Sequence, residues 1–70
     1  MKLRVLTENP ITIMEYKRVV DLAKSSKSLE TDMYKLFPER CKSVQRSKKA
    51  VVIYLDKKDA SSHKYEMKFD

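Results

Sequence analysis

The basic residues of this sequence are concentrated between positions 35 and 49. That segment, KLFPERCKSVQRSKK, has a formal charge of +5 in a chain whose net charge is +6. Its basic residues are Lys35, Arg40, Lys42, Arg46, Lys48 and Lys49. Clustered cations bind phosphate groups by releasing counterions, without reading a base sequence. We therefore predict that these six residues contact an anionic partner, and nucleic acid or a ribonucleoprotein is the first hypothesis.

Two backbone conformations would both gather positive charge in this segment. Proline is favoured at the first position of a helix, so Pro38 could open a short amphipathic helix. The cationic side of that helix would consist of Lys42, Arg46 and Lys49. If the segment is extended, one side would consist of Arg40, Lys42, Arg46 and Lys48. Either way we expect at least three of these cations to project to solvent on one side, unpaired by acids. The alternative is a solvated loop that is basic only for solubility.

Several kinds of catalytic and cofactor site are excluded by composition. The chain contains no glycine, one cysteine and one histidine. Phosphate-binding loops, dinucleotide fingerprints and the serine nucleophile elbow all need glycine for close backbone approach or positive φ. One cysteine and one histidine are too few for a zinc site without borrowed ligands. We expect no catalytic residue, no metal and no cofactor, which indicates a non-enzymatic binding protein.

Two further hypotheses come from other classes of protein. One is a small protein-binding regulator or inhibitor, of the virus-encoded type, that docks on an acidic surface of a larger host protein. It would dock by its basic segment, and the apolar strip Val51, Ile53 and Leu55 could be its contact or the seam of a homodimer. The other is a small ribonuclease of the toxin class, which rests only on an analogy in the order of elements.

The remaining side chains that could react or stack are expected to have structural roles or to be solvated. Tyr54 and Tyr65 could form a stacking platform on an open sheet. We expect core positions instead, because Val52, Met67 and Phe69 share their predicted face. Cys41 lies between two cations, which favour a reactive thiolate, yet a small buried residue is the expected role. His63 is expected to be solvated at the end of a loop.

The whole chain is predicted to form one domain, spanning residues 1–70. Its 70 residues suffice for a single small core. No apolar run approaches the roughly 20 residues that a membrane helix needs, so no membrane partner is expected. The lone cysteine cannot form an internal disulfide, which favours a reducing, cytoplasmic location.

The first half of the chain predicts a strand followed by two helices. KLRVLT alternates with a period of two, as a half-buried strand does. Thr12 and Glu15 fit a capping box, which predicts a helix over about residues 12–26. The alternative is a ββαββ order, in which ITIME returns as a second strand because its isoleucines and threonine are β-branched. Ser28 and Pro38 then bound a second helix.

The second half predicts two strands, 50–56 and 64–69, paired as a hairpin. The register that separates core from solvent residues puts Val52 and Tyr54 on the same face as Met67. The predicted fold is therefore an α+β domain of order β-α-α-β-β, with two helices on one face of a three-stranded, mostly antiparallel sheet. The strand over 50–56 should be central, with the first strand beside it. The predicted core is Leu3, Val5, Val20, Leu36, Val52, Tyr54, Met67 and Phe69.

Overall fold

The computed structural model describes residues 2–57 and 63–69, and these ranges form an α+β fold. The elements are β1 (Lys2–Thr7), α1 (Ile13–Ser25), α2 (Leu29–Leu36), β2 (Cys41–Arg46), β3 (Ala50–Leu55) and β4 (Tyr65–Phe69). The sheet has the order β2-β3-β1-β4, in which β1 and β3 are parallel and the other neighbours antiparallel. The predicted class is confirmed. The predicted count of three strands is one too few, because residues 41–46 form a strand.

The first helix begins where the capping box predicted. The Glu15 backbone N–H donates to Thr12 Oγ1 at 3.0 Å, and the Thr12 N–H donates to Glu15 Oε1 at 2.8 Å. These two bonds satisfy backbone donors that a helix start otherwise leaves unpaired. The alternative ββαββ order is wrong, because residues 11 and 12 lead into this helix and form no strand. Local capping therefore outweighs the β-branched composition of this stretch.

The second helix ends where Pro38 forbids its continuation. Leu29 and Met33 are buried, and the Phe37 N–H donates to the Met33 carbonyl at 2.9 Å as the helix ends. Ser28 occupies the N-cap position as predicted, but its side chain makes no capping hydrogen bond. One continuous core joins buried residues of α1 and α2 to Leu3 and Val5 of β1, so both helices cover the same face of the sheet.

The strip Val51, Ile53 and Leu55 belongs to the core. These side chains are 1%, 0% and 0% exposed, so the prediction that they form a protein interface or dimer seam is wrong. The reason is the register, which sets Leu3 beside Val51 and Val5 beside Ile53. Side chains of paired residues lie on one face of a sheet. The apolar residues of β1 therefore fix which side of β3 meets the helices.

The opposite face of β3 carries two residues that were predicted to be core. Val52 pairs with Arg4, and Tyr54 pairs with Leu6, on the side of the sheet away from the helices. Both are half-buried. Their predicted core position is wrong, since it rested on a hairpin of β3 with β4 that does not form. Leu3, Val5 and Val20 are buried as predicted, while Leu36, Met67 and Phe69 pack partly buried against the core.

β4 pairs with β1, whereas the sequence predicted that it would pair with β3. Phe69 lies opposite Leu3 and Met67 lies opposite Val5. Because β3 is apolar on both faces, it suits an interior position between two strands. Its predicted central place beside β1 is confirmed. β4 alternates apolar and charged residues, and it forms an edge of the sheet.

Candidate functional site

The basic segment does not form one continuous surface. Residues 38–40 make a turn and Cys41–Arg46 is β2, so the predicted short helix is absent. A bulge between Cys41 and Ser43 interrupts the alternation that would have aligned Arg40 and Lys42 with Arg46. At about 3.3 Å per residue, Arg40 and Arg46 are separated by about 20 Å of chain. The strand therefore divides the cations between two ends of the sheet.

Arg40 lies at the end of the sheet where β1 and β3 finish, and its charge is already paired. Its Nε donates to Asp56 Oδ1 at 2.9 Å, and its Nη2 donates to the Asn9 carbonyl at 2.7 Å. Asp56 Oδ2 also accepts from the Thr7 hydroxyl at 2.7 Å and from the Glu8 N–H at 3.2 Å. The expectation that no acid pairs this arginine is wrong. Arg40 joins three loops and has few donors left for a ligand.

Lys35 and Lys42 lie in the same half of the molecule as Arg40. Lys35 is in the last turn of α2, and Lys42 is at the bulge that begins β2. Both side chains are exposed. The Lys42 carbonyl accepts a hydrogen bond from the Tyr34 hydroxyl at 3.2 Å, which fixes the backbone of this bulge to α2.

The opposite end of the sheet collects cations from three separate parts of the chain. We call this surface the basic end, and it consists of Lys2, Lys27, Arg46, Lys48 and Lys49. The Lys2 N–H donates to the Lys49 carbonyl at 3.1 Å, which joins the start of β1 to the turn between β2 and β3. Arg46 Nη1 donates to the Ser26 carbonyl at 2.9 Å, which joins β2 to the loop between the helices. Topology thus assembles the surface.

The charges of the basic end are available to a ligand. All five side chains are exposed. The ion pairs in the described ranges are Arg4–Glu66, Arg40–Asp56, Lys57–Glu8 and Lys68–Glu66, none of which involves the basic end. Each of these cations would therefore gain an anionic partner on binding without first losing an ion pair to a residue that the structure describes.

A groove opens beside Arg46, between β2 and the first turn of α2. It has a volume of about 500 Å³, and Lys27, Ser28, Glu30 and Arg46 are among its lining residues. The N–H groups of a first helical turn point out of the helix and favour negative charge. Glu30 opposes an anion there, so Lys27 and Arg46 are the groups in this groove that attract one.

Sequence reasoning missed Lys2 and Lys27 as members of this surface. Lys2 belongs to the alternating stretch KLRVLT and Lys27 precedes Ser28, so both lie outside the basic segment 35–49. The parallel pairing of β1 with β3 brings Lys2 beside Lys49 across 47 sequence positions. No local pattern reports such a pairing, although the chain order strand, two helices and strand is compatible with it.

The other candidate groups are occupied or buried. Cys41 is 4% exposed, and burial raises the pKa of its thiol, so the reactive role is not supported. The His63 ring packs on Tyr54 with centroids 5.6 Å apart, and its ring nitrogens are buried without hydrogen-bond partners, so the prediction of a solvated His63 is wrong. Tyr54 and Tyr65 lie on opposite faces of the sheet and form no joint stacking platform.

Within the ranges 2–57 and 63–69, no group of three or more histidine, cysteine, aspartate or glutamate side chains could hold a metal ion. Neither helix in the described part of the chain is long and apolar enough to cross a membrane. Comparison with protein-family models, with curated proteins and with solved structures finds no match to this chain. A function is therefore inferred from the chain's own residues.

Proposed function

We propose that this protein is a non-enzymatic binding protein that holds nucleic acid by its phosphates at the basic end. The proposal rests on five exposed cations that lie at one end of the sheet without an acidic partner in the described ranges. They come from β1, from the loop between the helices, and from the end of β2 with the turn that follows it. The proposal moves the predicted site away from Lys35, Arg40 and Lys42, and adds Lys2 and Lys27.

The five cations differ in what they offer a phosphate. Arg46 is held by its bond to the Ser26 carbonyl, so its remaining guanidinium donors are oriented before a ligand arrives. The lysines on the turn are point charges on flexible stems, which adapt to the spacing of phosphates. The described residues place no exposed aromatic ring at this end on which a base could stack. The expected recognition is therefore of backbone, with little preference for sequence.

Charge reversal at the basic end tests this proposal. The triple variant Arg46→Glu, Lys48→Glu, Lys49→Glu should bind a labelled 20-base-pair DNA or RNA duplex at least about 100-fold more weakly in fluorescence anisotropy. The matched control Arg18→Glu, Lys35→Glu, Lys42→Glu has the same net charge and also replaces one arginine and two lysines that are exposed. It should lose no more than about threefold. Equal losses in both variants would contradict a localised site.

Purification from the native host separates nucleic acid from the second candidate partner, an acidic protein surface. The proposal expects nucleic acid to accompany the protein and to be released by nuclease or by salt. One stoichiometric protein that resists nuclease would instead favour the regulator hypothesis, with the basic end as its contact. In that case, loss of charge should chiefly slow association.

A further inference from the structure

Within the ranges 2–57 and 63–69, no strand pairs with the outer edge of β4. The Lys2 N–H bonds to the β3 side of the sheet, so even-numbered residues of β1 face β3 and odd-numbered residues face β4. Arg4 lies opposite Lys68, and Leu6 lies opposite Glu66, at positions where β1 makes no hydrogen bonds to β4. Glu66 and Lys68 therefore direct their backbone N–H and C=O groups outward. The Tyr16 hydroxyl, which donates to the Lys68 carbonyl at 3.0 Å, confirms this direction.

The two edges of the sheet are protected to different degrees. β2, at the opposite edge, contains a bulge between Cys41 and Ser43, and bulges discourage pairing with another strand. β4 keeps an unbroken register with β1 over five residues, from Tyr65 to Phe69. The charged side chains of β4 are the main feature that discourages pairing with another strand. The order of these charges along β4 determines which partner strands are excluded.

The charges on β4 complement themselves in one antiparallel register only. Only the outward residues, Glu66 and Lys68, can form hydrogen-bonded pairs across a two-fold axis. Two of the possible registers place Glu66 opposite Glu66 or Lys68 opposite Lys68, which is unfavourable. The third is centred on Met67 and places each Glu66 opposite the Lys68 of the other copy. Both pairs then carry opposite charges.

The same register brings an exposed ring to an apolar groove. Tyr65 is 46% exposed, and like Phe69 it lies on the helix side of the sheet. In the register centred on Met67, Tyr65 of one copy stands opposite Phe69 of the other. Phe69 forms one wall of a groove of about 310 Å³ between β4 and α1, whose other apolar walls are Ile13, Tyr16 and Val20. Ile13 is 75% exposed in the free chain.

We infer that β4 is a homodimer interface, in which two copies pair edge to edge about Met67. The pairing joins two sheets into one, with reciprocal Glu66–Lys68 contacts and the Tyr65 ring of each copy against the groove of the other. Such a contact is isologous and closes after two copies. The Lys68 carbonyl has two lone pairs, so it can accept from the partner while it keeps the Tyr16 hydroxyl. The interface includes no residue of the basic end and stands apart from the proposed function.

Charge reversal at Glu66 and Lys68 tests the dimer, because combining the two reversals should restore an association that each one weakens. Sedimentation velocity from about 10 μM to about 1 mM should show concentration-dependent dimerisation of the unaltered chain. Glu66→Lys and Lys68→Glu should each weaken it at least about tenfold, because each places like charges opposite one another. An equimolar mixture of these two variants should form a heterodimer, since opposite charges then face each other at both pairs. The double variant Glu66→Lys, Lys68→Glu should recover dimerisation.

The controls separate this register from general effects of charge. Glu39→Lys and Lys42→Glu make the same changes at exposed positions outside β4, and they should leave dimerisation unchanged. Glu66→Lys loses the ion pair with Arg4, whereas Lys68→Glu keeps it, so far-ultraviolet circular dichroism checks that both variants fold. If Glu66→Lys fails to fold, Tyr65→Ser, which removes the ring from the groove, replaces it. A chain that stays monomeric, or a mixture that associates no better than its components, would overturn the inference.

Discussion

Asp56 takes the left-handed backbone conformation that glycine most often occupies. The chain contains no glycine, and Asp56 has a positive φ of 72° after the last residue of β3. Aspartate tolerates this left-handed region better than most residues. Hydrogen bonds from Arg40, and after them from Thr7 and the Asn9 N–H, hold the pKa of Asp56 well below its ordinary 3.8, against the opposing effect of burial. The charge of Asp56 therefore helps to close this end of the sheet.

We expect the Asp56 ion pair to make the stability depend on pH. Since its pKa is lower in the folded chain than in the unfolded chain, the contribution is present above about pH 4 and is lost as the pH falls. Asp56→Asn keeps the left-handed tolerance but removes the charge. It should lower the free energy of unfolding at pH 7 by about 1–3 kcal/mol and flatten the acid dependence.

Urea unfolding at pH 7 and at pH 3 measures both effects of Asp56→Asn. Asp21→Asn, at an exposed position on α1, is the control and should leave the free energy at pH 7 unchanged. If Asp56→Asn were as stable as the unaltered chain at pH 7, the charge of Asp56 would contribute nothing to the stability of the fold.

Among the elements, β3 shows how a neighbouring strand determines which face of a strand is buried. Its sequence AVVIYL is apolar on both sides, so its own pattern does not indicate which side is core. β1 supplies the answer, because its charged residues Lys2 and Arg4 can only lie on the side away from the helices. The register then places Ile53 in the core and Val52 on the other face.

Alanine at adjacent positions of β3 should distinguish its two faces. Ile53→Ala opens a cavity at a fully buried site and should cost about 2–5 kcal/mol in the free energy of unfolding. Val52→Ala, at a half-buried site, should cost less than about 1.5 kcal/mol. Urea unfolding of both variants measures the difference. A larger loss for Val52→Ala would reverse the assignment of the faces.

The sequence predicts the elements whose signals are local. It does not predict features that depend on pairing between strands far apart in the sequence. The capping box of Thr12 and the alternation of β1 fix α1 and β1 with few alternatives. CKSVQR contains too few apolar residues to indicate a strand, so β2 was missed. The partner of β4 depends on residues more than 60 positions away, such as Leu3 for Phe69. For the same reason, half of the basic segment was predictable as a surface, while Lys2 and Lys27 were not.

At the scale of the molecule, charge is distributed unevenly. Where β1 and β3 end, Arg40 and Asp56 neutralise each other, whereas the cations of the basic end have no such partners in the described ranges. The Cα atoms span 28 Å in the longest dimension, so one copy covers no more than about eight base pairs of a duplex. In the proposed dimer the two copies are antiparallel, so their basic ends would point in opposite directions.

Salt should weaken duplex binding, and the dependence of log K on log salt concentration should report the number of phosphate contacts. If five cations each neutralise one phosphate, log K should fall against log salt concentration with a slope of roughly −4.5. The variant Arg46→Glu, Lys48→Glu, Lys49→Glu should have a slope of roughly −2 or shallower. Anisotropy titrations at several salt concentrations provide both values. An equally steep slope in the variant would place the phosphate contacts elsewhere.

The position of β1 between β3 and β4 has a consequence for the order of folding. β1 is synthesised before the other described elements, yet its neighbours in the sheet, β3 and β4, are synthesised after both helices and β2. Pairings between residues so far apart in sequence slow folding, because a long loop must close before any contact compensates for it. During synthesis, β1 with its apolar side has no strand to join until β3 emerges. Until then Leu3 and Val5 lack their partner strands, and apolar surface exposed in this way makes a nascent chain prone to aggregate.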